Sequence, residues 1–132
     1  MIVLDTETTG LDNDAEIVEI AIIDSWGTPL LNTLVKPKTP ITPEVTAING
    51  ITNEMLKDAP CWEVIRPLVK TIFEDNCFDL PQDKSEFHKA YAYNAKFDQR
   101  MLIQSGWEGK PPEIICAMER AIHHLKIDQS NC

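Results

Sequence analysis

Two acidic residues near the start of the chain, Asp5 and Glu7, are separated by one threonine and follow a short apolar run. In an extended strand, residues two apart point to the same face, so we expect their carboxylates to project side by side. Two like charges held this close repel each other unless a cation lies between them or one carboxyl group is protonated. Because Mg2+ prefers oxygen ligands, the pair predicts half of a metal site. A solvated strand end followed by a turn would give the same short pattern.

A second stretch whose residues could take part in a reaction is Tyr93-Asn94-Ala95-Lys96-Phe97-Asp98. It follows a short apolar segment and opens a segment of helical periodicity, with Asn94 as the candidate N-cap. Asp98 then lies in the first helical turn, where the helix dipole favours an ionised carboxylate. By itself, an aspartate at this position is commonly only a helix-start residue.

The elements that position these residues alternate along the chain. Strands are predicted over residues 1–5, 16–24, 30–36, 90–93 and 113–116. Helices are predicted over residues 42–50, 51–56, 62–73, 94–106 and 118–125, and residues 75–89 are predicted to form an acidic surface loop. Pro67 is expected to kink or divide the third helix, because proline removes a helical hydrogen bond.

This order of elements predicts an α/β layer fold with one mixed sheet. The first three strands can be antiparallel neighbours, whereas the last two need helical crossovers and therefore run parallel to the first. The second strand has apolar residues on both faces, which predicts a central strand that is covered on each side.

Composition and charge limit the possible function classes. The 132 residues are 43% hydrophobic and 25% charged, which is typical of one soluble domain, and no apolar run approaches a membrane span. A basic leader is absent before Asp5, so we expect a cytoplasmic protein with reduced cysteines. The net charge of -9 argues against a broad basic surface for nucleic acid, although a site that holds only a strand end with metal ions remains compatible with it.

The string Asp5-Thr6-Glu7-Thr8-Thr9-Gly10-Leu11 resembles the first motif of the DEDD, or DnaQ-like, 3′-5′ exonucleases, and the string around Asp98 resembles their second motif. Tyr93 stands where the family often has histidine. A weaker similarity covers the connector over residues 35–52, where Asn49 replaces a family histidine. The resemblance extends over about residues 1–120 and implies a ribonuclease-H-like sheet of five strands in the order 3-2-1-4-5, flanked by helices.

The resemblance also implies an activity and a set of site residues. Asp5, Glu7 and Asp98 are expected to hold two Mg2+ or Mn2+ ions that assist hydrolysis of phosphodiester bonds at the 3′ end of single-stranded DNA or RNA. Asp5 would bridge the two ions. Leu11 is expected to press on the terminal base, and Thr6, Thr8 and Asn94 to contact the terminal nucleotide. A polymerase is a possible partner, as for the polymerase III epsilon subunits of this family.

The family's last motif, a His or Tyr followed by a fourth aspartate, has no clear counterpart. His123 and Asp128 have the family spacing, but they follow the fifth strand very closely and lack the usual alanine neighbours. We therefore expect residues 1–132 to be a single exonuclease-like domain that is truncated at its C-terminus.

Two alternatives to an active exonuclease remain at this stage. One is a catalytically silent domain that keeps the fold and binds nucleic acid or a polymerase. The other is a binding module without metal, in which Asp5 and Glu7 are incidental.

Overall fold

The computed structural model describes residues 1–77 and 89–119. Its elements are β1 (Ile2–Thr8), β2 (Ile17–Asp24), β3 (Pro29–Leu34), α1 (Pro43–Asn49), α2 (Asn53–Leu56), α3 (Trp62–Asn76), β4 (Ala90–Ala92), α4 (Ala95–Gln104) and β5 (Ile114–Cys116). The predicted succession of strands and helices is confirmed for these elements. Most of the predicted last helix and of the acidic loop lies outside the described residues.

The five strands form one sheet in the order β3-β2-β1-β4-β5. β1 is antiparallel to β2, and β2 is antiparallel to β3, whereas β4 and β5 run parallel to β1 and to each other. The predicted mixed sheet and strand order are therefore confirmed. β1 lies at its centre, between the antiparallel and the parallel halves.

β1 is longer than the sequence indicated. The prediction ended the strand at residue 5, but pairing with β2 continues as far as Thr8 opposite Ile17. The prediction was wrong because the cross-strand partner, which the local sequence does not specify, keeps the threonines extended. On its other side β1 pairs with β4 only at Ile2 and Val3. Since β4 ends at Ala92, the residues of β1 from Asp5 to Thr8 extend past its carboxyl end, and this edge of β1 is not paired with β4 there.

One face of the sheet carries the main core. Side chains of β1 and β2 that point to this face pack with the buried side chains of α3 and α4, among them Ile2, Leu4, Ile20, Ile22, Val69, Met101 and Leu102. A smaller cluster joins Val18 to Ile41, Ile51 and Leu56 of the connector that bears α1 and α2. The pairing of β1 with β2 shifts register between Glu7 and Thr8, and Val18 is the residue that this irregularity skips. The bulge explains why apolar residues in β2 do not follow one alternating pattern.

Local signals set the ends of the first helix as predicted. The hydroxyl of Thr42 accepts a hydrogen bond from the Val45 amide, and Gly50 ends the helix with a φ of 74°. Of the two predicted effects of Pro67, a kink or a division, division is wrong, because α3 continues through this residue as one helix. Ile65 and Val69, on either side of the proline, are both buried in the main core, and this packing offsets the lost hydrogen bond.

Within the described ranges, no helix has the length and apolar character needed to span a membrane.

Candidate functional site

β1 places Asp5 and Glu7 on one face and Thr6 and Thr8 on the other. Asp5 is exposed and Glu7 is half-buried, whereas both threonines are buried. This alternation follows from the strand geometry, and it confirms that the two carboxylates share a face. They lie in the part of β1 that extends past β4, where the unpaired strand edge leaves access from the carboxyl end of the sheet.

α4 brings the third carboxylate to the same segment. Asp98 is only 4% exposed, and its Oδ1 accepts a hydrogen bond of 2.7 Å from the hydroxyl of Thr6. Thr6 is the residue between Asp5 and Glu7, so Asp98 lies against β1 at the level of the acidic pair. The first turn of α4 reaches this position because β4, which precedes it, is parallel to β1 and ends early.

The charges of the three carboxylates act on one another. Burial raises the pKa of Glu7, and the negative charges of Asp5, Glu19 and Asp98 raise it further. Burial likewise raises the pKa of Asp98, the hydrogen bond from Thr6 opposes this effect, and the charge of Asp5 adds to it. Ionisation of Glu7 and of Asp98 is therefore less favourable than that of the same carboxyl groups in water when no cation is bound.

The chemistry of these side chains fits a hard divalent cation. All three are carboxylates, and none of them forms an ion pair with a lysine or arginine within residues 1–77 and 89–119. Carboxylate oxygens are the ligands that Mg2+ and Mn2+ prefer. In the same described ranges, however, no three acidic, histidine or cysteine side chains converge closely enough to form a metal-binding group. The strand and helix thus bring the carboxylates into one region without arranging them as a closed coordination sphere.

Glu19 is a further acidic residue of this region that the sequence interpretation missed. It lies directly opposite Glu7 in the β1–β2 pairing. Directly opposed residues of two strands point to the same face, and like charges at such positions destabilise the pair. A glutamate within the otherwise apolar run Ile17-Val18-Glu19-Ile20 was the available signal.

The predicted nucleotide contacts fall into two groups. The hydroxyls of Thr6 and Thr8 are engaged within the protein, with Asp98 Oδ1 and the Gly10 carbonyl, respectively. Leu11 is 76% exposed just beyond β1, and Asn94 is exposed at the start of α4. The Asn94 side chain forms no capping hydrogen bond, although its carbonyl accepts bonds from the amides of Phe97 and Asp98, so the predicted cap is correct in position only.

His123 and Asp128 lie outside the described residues. The three other predicted catalytic residues, Asp5, Glu7 and Asp98, are those that the fold brings to one region.

A cavity of about 370 Å³ lies elsewhere, at the amino ends of β4 and β5, where Lys89, Trp107 and Glu113 contribute to its lining. The carboxylates are at the opposite end of the parallel strands. This cavity is therefore not a pocket for the acidic site.

Comparison with known proteins supplies independent information. The family model for the exonuclease family of RNase T matches residues 2–128. An uncharacterised exonuclease of Escherichia phage 186 is 48% identical over 104 residues, which are 79% of this chain and 47% of the phage protein. Exodeoxyribonuclease 10 of Escherichia coli K12 is 35% identical over 122 residues, which are 90% of this chain and 46% of that enzyme. The chain thus spans about half the length of these curated relatives.

Solved structures give the same fold. Exonuclease X in complex with 5′ overhanging duplex DNA superposes with a TM-score of 0.66 at 33% identity, and the match covers 98% of this chain and 68% of that one. The nuclease domain of 3′hExo, a DEDDh family member bound to rAMP, has a TM-score of 0.68 at 15% identity, with coverage of 98% and 72%. The second likeness concerns the fold alone. Together with the strand order, these neighbours confirm the predicted ribonuclease-H-like architecture.

Proposed function

Because the chain belongs to the exonuclease family of RNase T, we propose that it hydrolyses phosphodiester bonds at the 3′ end of nucleic acid and releases single nucleotides. Membership in this family establishes the exonuclease class. The 3′-5′ direction, the use of metal ions and the roles of individual residues are our proposals. DNA is the first substrate to test, because the relatives that are about one-third identical are named for DNA or solved with it.

The hydrogen bond from Thr6 to Asp98 is the observation that carries the proposal. It joins the first and second acidic motifs, which are 92 residues apart, at one point of the fold. A merely incidental Asp-x-Glu pattern would not need a third carboxylate buried beside it, since an unpaired buried charge is costly. The mutual repulsion is compensated if a cation binds in this region.

We propose that Asp5, Glu7 and Asp98 would hold two Mg2+ or Mn2+ ions. Bound ions of this kind supply positive charge to the phosphodiester and lower the pKa of water. Thr6 fixes Oδ1 of Asp98 and thereby leaves the other carboxylate oxygen for a ligand. The exposed carboxylate of Asp5 is accessible from the carboxyl end of the sheet.

The nucleotide contacts are proposed from the same geometry. The exposed Leu11 side chain is suited to stack against the terminal base, and the exposed Asn94 can reach a sugar or phosphate. Since the hydroxyls of Thr6 and Thr8 are engaged within the protein, their proposed contacts are through the backbone.

We also propose that residues 1–132 are part of one exonuclease domain whose fourth acid and general base follow Glu119. His123 and Asp128 are one candidate pair. The other candidate is a further segment of the protein. The curated relatives have such additional sequence, since the chain matches about half of their length. A general base near the attacking water is needed for efficient hydrolysis.

A catalytically silent domain is the second candidate function. It is favoured by the finding that, in the described part of the chain, the acidic side chains do not form a three-residue metal-binding group. Such a domain would bind nucleic acid ends or a polymerase without turnover. A polymerase context is suggested by the DNA polymerase III PolC-type protein of Thermotoga maritima, which is 35% identical over 105 residues.

Single-stranded DNA labelled at the 3′ end or at the 5′ end tests the proposal. With Mg2+ or Mn2+, the 3′ label should appear at once in a mononucleotide. The 5′-labelled strand should instead become progressively shorter. EDTA should abolish both reactions. Early release of the 5′ label would contradict the direction, and activity in EDTA would contradict the use of metal. Binding of the oligonucleotide without any release would favour the silent domain.

A further inference from the structure

The segment over residues 10–15 carries the exposed Leu11 and is closed at its base by two residues. The amide of Thr9 donates to the carbonyl of Glu16 at 2.8 Å, and the amide of Glu16 donates to the hydroxyl of Thr9 at 2.9 Å. Both carboxylate oxygens of Glu16 accept further bonds from the amides of Lys38 and Thr39. The base of this segment, which we call the Leu11 loop, is therefore anchored to the rest of the fold.

Side chains of α4 form hydrogen bonds with the Leu11 loop. The guanidinium of Arg100 donates to the carbonyl of Leu11, and the side-chain amide of Gln104 donates to the carbonyls of Asp12, at 3.3 Å, and Ala15, at 2.7 Å. Each bond is to the backbone of the loop, so it fixes the path of the chain and leaves the Leu11 side chain exposed. These three hydrogen bonds join the loop to side chains of α4.

Arg100 is itself oriented by its own helix. Its guanidinium carbon lies 5.5 Å from the centre of the Phe97 ring, three residues earlier on the same face of α4. Phe97 in turn packs against the main core. A charge-assisted bond to a carbonyl and a contact with an aromatic face together restrict a side chain that is otherwise flexible.

We infer that Arg100 is a positioning residue for the 3′-terminal nucleotide, acting through the backbone of Leu11. This inference rests on the proposed function, because it assigns the Leu11 side chain a base to contact. α4 also bears Asp98, whose carboxylate contacts β1 through Thr6. One helix therefore fixes both a proposed metal ligand and the loop that meets the terminal base, and it sets the distance between them.

Arginine suits this role better than lysine. Its planar guanidinium can lie over the Phe97 ring and donate to Leu11 at the same time, whereas an ammonium group has neither the plane nor the fork of donors. Arg100 could instead only attract the phosphates of the substrate through its positive charge. That role predicts that any exposed cation on α4 would contribute equally to substrate binding. Lys96, which is exposed on α4 and pairs with Glu119, provides that comparison.

A double-mutant cycle with Leu11 tests the inference. Arg100→Gln should raise KM for a single-stranded DNA substrate about tenfold and change kcat less than about twofold, because a charged hydrogen bond contributes on the order of a factor of ten. In a Leu11→Ala background the same change should have an effect of less than about twofold. Arg100→Lys should recover only part of the loss, and Lys96→Gln should leave KM within about twofold of the wild type. Independent effects of Arg100 and Leu11, or an equal loss in Lys96→Gln, would overturn the inference.

A measurement without turnover separates this inference from the proposed function. An oligonucleotide with 2-aminopurine as its 3′-terminal base, bound in the presence of Ca2+, should show altered terminal-base fluorescence with the wild type and less of it with Arg100→Gln. Hydrogen exchange of a peptide covering residues 9–16 should be faster in Arg100→Gln, while exchange of β1 is unchanged. A fluorescence response in Ca2+ together with no nucleotide release in Mg2+ or Mn2+ would contradict only the proposed hydrolysis. No response with the wild type would contradict both, and unchanged exchange in Arg100→Gln would overturn the inference alone.

Discussion

The two faces of β1 differ in what they contribute. One face bears Ile2 and Leu4, which are fully buried in the main core, and continues into the buried Thr6 and Thr8. The other bears Asp5 and Glu7, which repel each other and face further negative charge from Glu19. Burial of the apolar face stabilises the folded protein. Repulsion on the acidic face destabilises it unless a cation is bound. A seven-residue strand thus holds the fold together and provides the acidic residues of the proposed site.

The difference extends to the way each face is partnered. The apolar face meets α3 and α4 along the paired part of the strand, whereas the acidic residues lie where β4 no longer accompanies β1. The early end of β4 makes room for the first turn of α4 and hence for Asp98. The short length of β4 therefore separates the stabilising part of β1 from the part available to a ligand. Substitutions on the apolar face should lower stability, and substitutions on the acidic face should lower activity.

The largest effect is expected for Asp5→Asn, which removes the negative charge of a proposed metal ligand and keeps the size of the side chain. Nucleotide release should fall about 10³-fold or more, corresponding to the several kcal/mol that bound ions contribute to the transition state. The metal-free protein should unfold at the same temperature or a slightly higher one, because a repulsive charge is lost. Steady-state release and thermal unfolding in EDTA measure the two quantities. Full activity of this variant would remove Asp5 from the site.

Leu4→Ala should have the opposite signature. It deletes most of a fully buried side chain on the apolar face and should lower the free energy of unfolding by about 2–5 kcal/mol. Val3→Ala on the other face is the comparison and should cost less, because Val3 is only half-buried and the substitution removes fewer atoms. Urea denaturation of both variants gives the comparison. Equal losses at the two positions would mean that the faces do not differ in the way that the burial indicates.

The features that the sequence predicted are those with local signals. Thr42 and Gly50 set the ends of α1 through chemistry within a few residues, and alternation in β1 placed Asp5 and Glu7 on one face. The order of elements, with the family resemblance, was enough for the sheet topology. These features depend on short spacing or on general rules of chain connection, and both can be read without the tertiary structure.

The remaining features depend on partners distant in sequence. The register of β1 against β2 places Glu19 opposite Glu7, and the shift at Val18 then places Ile17 opposite Thr8 and extends β1 to that residue. The bonds of Arg100 and Gln104 to the Leu11 loop join residues about 90 apart. Neither residue belongs to the motifs from which the site was predicted. Register and side-chain contacts of this kind are set by packing, for which the sequence carries no local pattern.

Thr6→Val tests the hydrogen bond that joins the apolar face of β1 to Asp98 of the acidic site. The substitution keeps the shape of the side chain and removes the donor to buried Asp98, so the free energy of unfolding near pH 7 should fall by about 1–3 kcal/mol. The pKa of Asp98 should rise further, since the lost bond opposed the effect of burial.

Denaturation of Thr6→Val and of Thr6→Ser, which retains the hydroxyl, measures the contribution of this hydrogen bond to the free energy of unfolding. Thr8→Val is a second control, because Thr8 donates only to the nearby Gly10 carbonyl. Similar losses in the two valine variants would argue against a special role for the Asp98 contact.

The smallest effect is expected for Glu19→Gln, which removes the charge opposite Glu7. The pKa of Glu7 is raised in the folded protein above its ordinary value of 4.5, so folding of the metal-free protein is relatively favoured below that pH. This advantage is lost as the pH rises through the folded-state pKa and Glu7 ionises. Glu19→Gln relieves part of that loss and should stabilise the protein by about 0.2–1 kcal/mol at pH 7 in EDTA.

The gain from Glu19→Gln should shrink as the pH is lowered through the titration of Glu7, because a protonated Glu7 has no charge to repel. Denaturation of the variant and the wild type at several pH values between 4 and 7 follows this change. Glu113→Gln removes the same formal charge at an exposed position just before β5 and should show little gain at any of these values. A gain for Glu19→Gln that does not depend on pH would assign it to packing or strand propensity. A pH-dependent gain would instead place the cost of the acidic face in the repulsion between β1 and β2, which a bound divalent cation should abolish.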